Sequence, residues 1–129
     1  MEQKQKSILV VEDEMPVLNA LADKFEREDF IVFKAKNGEE GLKSALENRP
    51  DMILLDLIMP RMDGIEMMRR LREENVYGRK VPIIILTNLS ADDKITWAVA
   101  KDEPAYYLIK SDWKIDDVVD KVRDTLGMK

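Results

Sequence analysis

Short, continuously apolar runs alternate along the chain with segments whose apolar residues recur every three or four positions. These are the patterns of buried strands and of helices with one buried face. Residues 7–11 (SILVV), 30–35 (FIVFKA), 52–56 (MILLD), 81–87 (VPIIILT) and 105–110 (AYYLIK) read as strands. Residues 15–29 carry Val17, Leu18, Leu21, Ala22 and Phe25 at helical spacing, with Pro16 in the first turn, where its missing N–H costs nothing. Residues 39–48 read as a second helix, entered through an Asn37-Gly38 turn and ending before Pro50. Residues 64–75 read as a third, followed by a turn at Gly78. A fourth is expected over 90–101, with Ser90 at its N-cap and acids in its first turn. The last runs from Trp113 to Leu126 through Ile115, Val118, Val119 and Val122, and Gly127 closes it.

Five strands alternating with five helices predict an α/β fold with a parallel sheet covered on both faces. The all-apolar strands 1, 3 and 4 belong in its centre and the mixed strands 2 and 5 nearer its edges. No repeat, low-complexity tract or long linker divides the chain, so one domain is expected over residues 1–129, its core lying between 7 and 127.

Composition narrows the chemistry. There is no Cys and no His. That excludes disulfides, thiolate metal sites, histidine general bases and phosphohistidine on this chain. The net charge of −5 argues against direct nucleic-acid binding, which needs a basic stripe. No apolar run approaches the roughly 20 residues of a membrane helix, and the N-terminus has no signal-peptide pattern. A cytoplasmic protein without membrane attachment is expected. Carboxylates must carry most of any chemistry.

In parallel sheets ligands bind beyond the C-terminal strand ends. Strand 1 leads into Glu12-Asp13, strand 3 into Asp56, strand 4 into Thr87 and strand 5 into Lys110. Three carboxylates gathered at one rim repel one another unless a cation joins them. With oxygen donors only, Mg²⁺ is the expected ion.

The acid pair Glu12-Asp13, the segment LLDLIMPRMDG around Asp56, Thr87, and Tyr107 with Lys110 resemble, in order and on the matching elements, the receiver domains of response regulators in two-component signalling. The resemblance covers the whole chain, and its most specific piece is the D-x-x-M-P-x-M-D-G stretch. It implies a flavodoxin-like, doubly wound sheet in the order 2-1-3-4-5. It implies that Asp56 accepts a phosphoryl group from a sensor histidine kinase or a histidine phosphotransfer protein. Asp13, Asp56 and the backbone carbonyl of Ile58 would hold Mg²⁺, with Glu12 acting through a water. Lys110 would pair with Asp56 and then with a phosphoryl oxygen. Thr87 and Tyr107 would shift inward and repack the helix 4–strand 5–helix 5 face, which signals to a separate, unidentified output protein. The chain ends soon after its last helix, so no output domain is expected on it. It would be a monomer or a phosphorylation-dependent dimer. It would not be an enzyme, catalysing only its own phosphorylation and slow autodephosphorylation.

Three departures from the family pattern stand out. Lys110 is followed by Ser111-Asp112-Trp113 rather than by Pro, Asn88 replaces a small residue after Thr87, and Lys101-Asp102-Glu103-Pro104 replaces a small-Gly-Ala turn. Ile58 and Leu89, both apolar, are expected to shield the acyl phosphate and give it a lifetime of hours. Tyr106 and Tyr107 point to opposite faces of one strand, and the one that is not the switch is expected to be core. Met59, Met62, Met67 and Met68 read as core filling, and Trp97 and Trp113 as packing or as partner anchors. Two alternatives stay open. One is a receiver-like docking module that is never phosphorylated. The other is a Mg²⁺-dependent phosphatase with an aspartyl nucleophile, disfavoured because Ile58 stands where a second acid is needed.

Overall fold

The computed structural model describes residues 5–88 and 100–128. Its elements run β1 (Ser7–Val11), α1 (Met15–Arg27), β2 (Ile31–Ala35), α2 (Gly38–Asn48), β3 (Met52–Leu55), α3 (Gly64–Glu74), α4 (Val76–Lys80), β4 (Ile83–Thr87), β5 (Tyr106–Ile109), a 3₁₀ turn (Lys110–Asp112) and α5 (Ile115–Thr125). The five strands form one sheet in the order β2-β1-β3-β4-β5, every pairing parallel. The apolar strands β1, β3 and β4 are central, as their pattern predicts.

Alternate residues of these strands feed two cores. Leu9, Val11, Ile53, Leu55, Ile83 and Ile85 pack with Ala45 of α2 and with Met67, Met68 and Leu71 of α3. Ile8, Val10, Met52, Leu54, Ile84 and Leu86 pack with Leu18, Leu21 and Phe25 of α1 and with Val118, Val119 and Val122 of α5. Because both faces are covered, the strands read as continuous apolar runs rather than alternations. Met59 and Met62 are also buried, so all four methionines singled out above fill core. Phe25 and Phe30 meet edge to face, their ring centroids 5.3 Å apart. Gly127, at φ +71°, closes α5 as expected, and Met128 N–H reaches back to Arg123 O at 2.8 Å.

The turn expected at Gly78 is instead part of a short helix, α4. Asn75 caps it by accepting the Gly78 N–H at 2.7 Å. Gly78 is needed for closeness rather than for turning, because a Cβ there would collide with the Leu71 carbonyl. Nearly all of the helix expected over 90–101 lies outside the described residues, as do Leu89, Ser90 and Trp97; Ala100 is helical. The unusual turn before β5 is anchored by Arg72. Its guanidinium donates to the carbonyls of Val81 (2.6 Å), Asp102 (2.8 Å), Gly78 (2.9 Å) and Glu103 (3.2 Å). Tyr106, expected to be core if Tyr107 is the switch, is 38% exposed. It lies on the edge strand, with Lys121 Nζ 4.7 Å from its ring centre. No helix among the described residues is long and apolar enough to cross a membrane.

Candidate functional site

The residues expected to form the site gather at the carboxyl ends of the strands. Glu12 and Asp13 follow β1 directly. The Glu12 N–H donates to Ala35 O at 3.0 Å, and its Oε1 accepts the Glu14 N–H at 3.2 Å. Glu14 is the N-cap of α1, and its side chain makes no capping bond. Asp56 is the first residue beyond β3 and is still held in the ladder, its N–H bonded to Val11 O at 3.0 Å. The loop after it is built tightly. Leu57, Met59 and Met62 turn inward while Ile58 is 57% exposed. Arg61 takes φ +63°, and Asp63 caps α3 by accepting the Glu66 N–H at 2.9 Å. Gly64 closes the loop with its N–H on Leu57 O at 2.9 Å, and a Cβ at that position would collide with the Asp56 carbonyl.

Oxygens of Glu12, Asp13 and Asp56 lie within 4.8 Å of one another. Glu12 and Asp56 are buried and Asp13 is half-buried. One ammonium faces them. Lys110 Nζ sits 2.8 Å from Glu12 Oε2 and 3.5 Å from Asp56 Oδ2. The departure after Lys110 thus does not take it out of the site, because it opens the 3₁₀ turn at the end of β5. Its closer partner, however, is Glu12 rather than Asp56. Thr87, fully buried, ends β4 opposite Ile109. Tyr107, half-buried, packs on the α2–α3 side of the sheet.

Burial pushes the Glu12 carboxyl up to about 7; the Asp56 charge adds to the rise, and the Lys110 hydrogen bond opposes it. Burial works against the Lys110 charge too, yet the hydrogen bond to Glu12 and the Asp56 and Glu12 carboxylates outweigh it and hold the ammonium above its ordinary range. Lys110 therefore stays charged between Glu12 and Asp56. A hard divalent ion suits such an oxygen-only donor set.

One hollow adjoins Asp13 and another adjoins Lys110. One, about 400 Å³, is lined by Asp13, Met15, Lys36, Asn37, Glu40, Pro60 and Arg61. Sequence reasoning did not bring Lys36 and Asn37 here, although the strand-end rule applied to β2 points to them. The other, about 380 Å³ and mostly apolar, is bounded by Pro16, Val17, Leu21, Leu86, Trp113 and Val118, with Lys110 at its edge.

Residues 8–123 match the response regulator receiver domain family. The chain belongs to that family. Among relatives of this receiver domain, the sporulation initiation phosphotransferase F of Bacillus subtilis is 32% identical over 124 residues, which cover 96% of each chain. The alkaline phosphatase synthesis transcriptional regulatory protein PhoP of Bacillus subtilis is 38% identical over 70% of this chain. This chain spans 42% of the length of PhoP and 33% of that of another relative, the Bacillus subtilis transcriptional regulatory protein ResD. Among solved structures, the response regulator TrrA of Thermotoga maritima, in complex with Mg²⁺-BeF, is 31% identical and covers 93% of this chain and 98% of its own, with a TM-score of 0.78.

Proposed function

We propose that this receiver domain acts as a phosphoacceptor switch with Asp56 as its acceptor. The observation that carries the reading is the convergence of Glu12, Asp13 and Asp56 on one small volume with Lys110 against them. Packing three acids together has no structural benefit, and it suits a site that takes up positive charge and then a phosphoryl group. The match to a phosphotransferase over nearly the whole chain, and the Mg²⁺-BeF complex of TrrA, support it.

In this reading an Asp56 carboxylate oxygen attacks the phosphorus of a phosphohistidine on a sensor kinase or phosphotransfer protein. The P–N bond breaks, the imidazole leaves with the electron pair and takes a proton, and an acyl phosphate forms on Asp56. Asp13, Asp56 and the Ile58 carbonyl would hold Mg²⁺, with Glu12 nearby; when bound, the ion would neutralise charge on the transferring group. Lys110 would neutralise a phosphoryl oxygen, and the Thr87 hydroxyl would donate to another. Movement of Thr87 and Tyr107 would then repack the face that includes β5 and α5 and signal to an output partner.

Mg²⁺ with beryllofluoride, a mimic of the acyl phosphate, tests this. Tryptophan fluorescence is expected to change in the wild type and not in Asp56→Asn. No response in either protein favours the docking module. Steady turnover of a phosphate ester favours the phosphatase.

A further inference from the structure

The geometry points to a second role for Glu12: it is a positioning residue that holds Lys110 off Asp56 in the resting protein. This rests on the reading of Asp56 as acceptor. The Lys110 ammonium sits in full contact with Glu12 Oε2 at 2.8 Å but only at 3.5 Å from Asp56 Oδ2. Both side chains of the closer pair are enclosed, 14% exposed for Lys110 and 2% for Glu12. In such surroundings one short charge-assisted contact decides where the ammonium rests.

Two local features bring the pair together. Glu12 is a glutamate rather than an aspartate, and its Oε1 is tethered to the Glu14 N–H at 3.2 Å, which leaves Oε2 for the lysine. Lys110 begins a 3₁₀ turn, and Trp113 N–H closes that turn on Lys110 O. The lysine stem therefore leaves from a fixed point. The consequence is chemical. An ammonium seated on Asp56 would compete with an incoming cation and screen the nucleophilic oxygen. Seated on Glu12, it stands beside the acceptor, within a short shift of a phosphoryl oxygen. An aspartate at position 12 would be one methylene shorter and would release Lys110 to Asp56.

The test reads the Lys110 ammonium by NMR in the metal-free, unphosphorylated full chain. The near-isosteric Glu12→Gln is expected to move the Lys110 signal at least twice as far as Asp56→Asn does. In a Glu12→Asp background, which keeps the charge and loses the reach, the effect of Asp56→Asn is expected to at least double. The inference is overturned if Asp56→Asn moves the wild-type signal as far as Glu12→Gln does, or if Glu12→Asp leaves the Asp56→Asn effect unchanged. Backbone spectra that match the wild type away from the site show that each variant is folded. No phosphodonor is present, so a failure to phosphorylate Asp56 would overturn the proposed function and leave this result standing, and the reverse also holds.

Discussion

At Glu12 a carboxyl with an ordinary value of 4.5 is held up to about 7. The folded, metal-free protein therefore keeps a proton there that the unfolded chain has already lost. Between those two values the contribution of Glu12 to stability falls as pH rises, because the folded state binds more protons than the unfolded state. Urea unfolding across this window in the presence of a chelator checks the sign. The wild type is expected to lose stability relative to Glu12→Gln as pH rises; a constant difference would show that Glu12 titrates normally. Asp56, Thr87 and Lys110 were legible in the sequence because each ends an apolar run. The partner that Lys110 prefers was not legible. It depends on the reach of two long side chains and on a 3₁₀ turn that strand patterning does not encode. The shielding expected of Ile58 meets a side chain that is 57% exposed. Its role is tested by whether Ile58→Ala shortens the phosphoryl lifetime.

Among the elements, the β3–α3 connection packs directly against Asp56, the proposed acceptor. Gly64→Ala would drive a Cβ into the Asp56 carbonyl. Overpacking of this kind costs about 1–3 kcal/mol, measurable by denaturant unfolding. Displacing the carboxylate is expected to slow phosphorylation by about tenfold or more. Asn75→Ala removes the cap of α4, far from the acids. It is expected to cost about 1 kcal/mol and to leave phosphorylation unchanged. The difference between Gly64 and Gly78 explains what the sequence concealed. Gly64 lies in a recognisable loop motif, whereas Gly78 looks like a turn and is in fact a close contact. Asn75, three residues before it, was the readable signal of a helix start. Arg72 reads as one more polar residue on an amphipathic helix. Its four carbonyl partners come from two separate stretches of chain, so only the folded molecule shows that it anchors the turn before β5.

For the whole molecule, the parallel sheet follows from two-sided burial, and the order β2-β1-β3-β4-β5 brings the ends of β1 and β3 side by side. That adjacency turns an acid pair and an acid some forty residues away into one cluster. A metal ion held by the cluster would couple binding to folding. Mg²⁺ at about one hundred times its dissociation constant is expected to stabilise the protein by about 2.7 kcal/mol, seen as a raised Tm, with a smaller rise in Asp56→Asn. Intact mass after incubation with Mg²⁺ and a small-molecule phosphodonor shows whether Asp56 accepts a phosphoryl group. A gain of one phosphoryl group is expected in the wild type, absent in Asp56→Asn and absent when the metal is chelated. An unmodified wild type that still binds Mg²⁺, or a gain that survives in Asp56→Asn, would contradict that expectation.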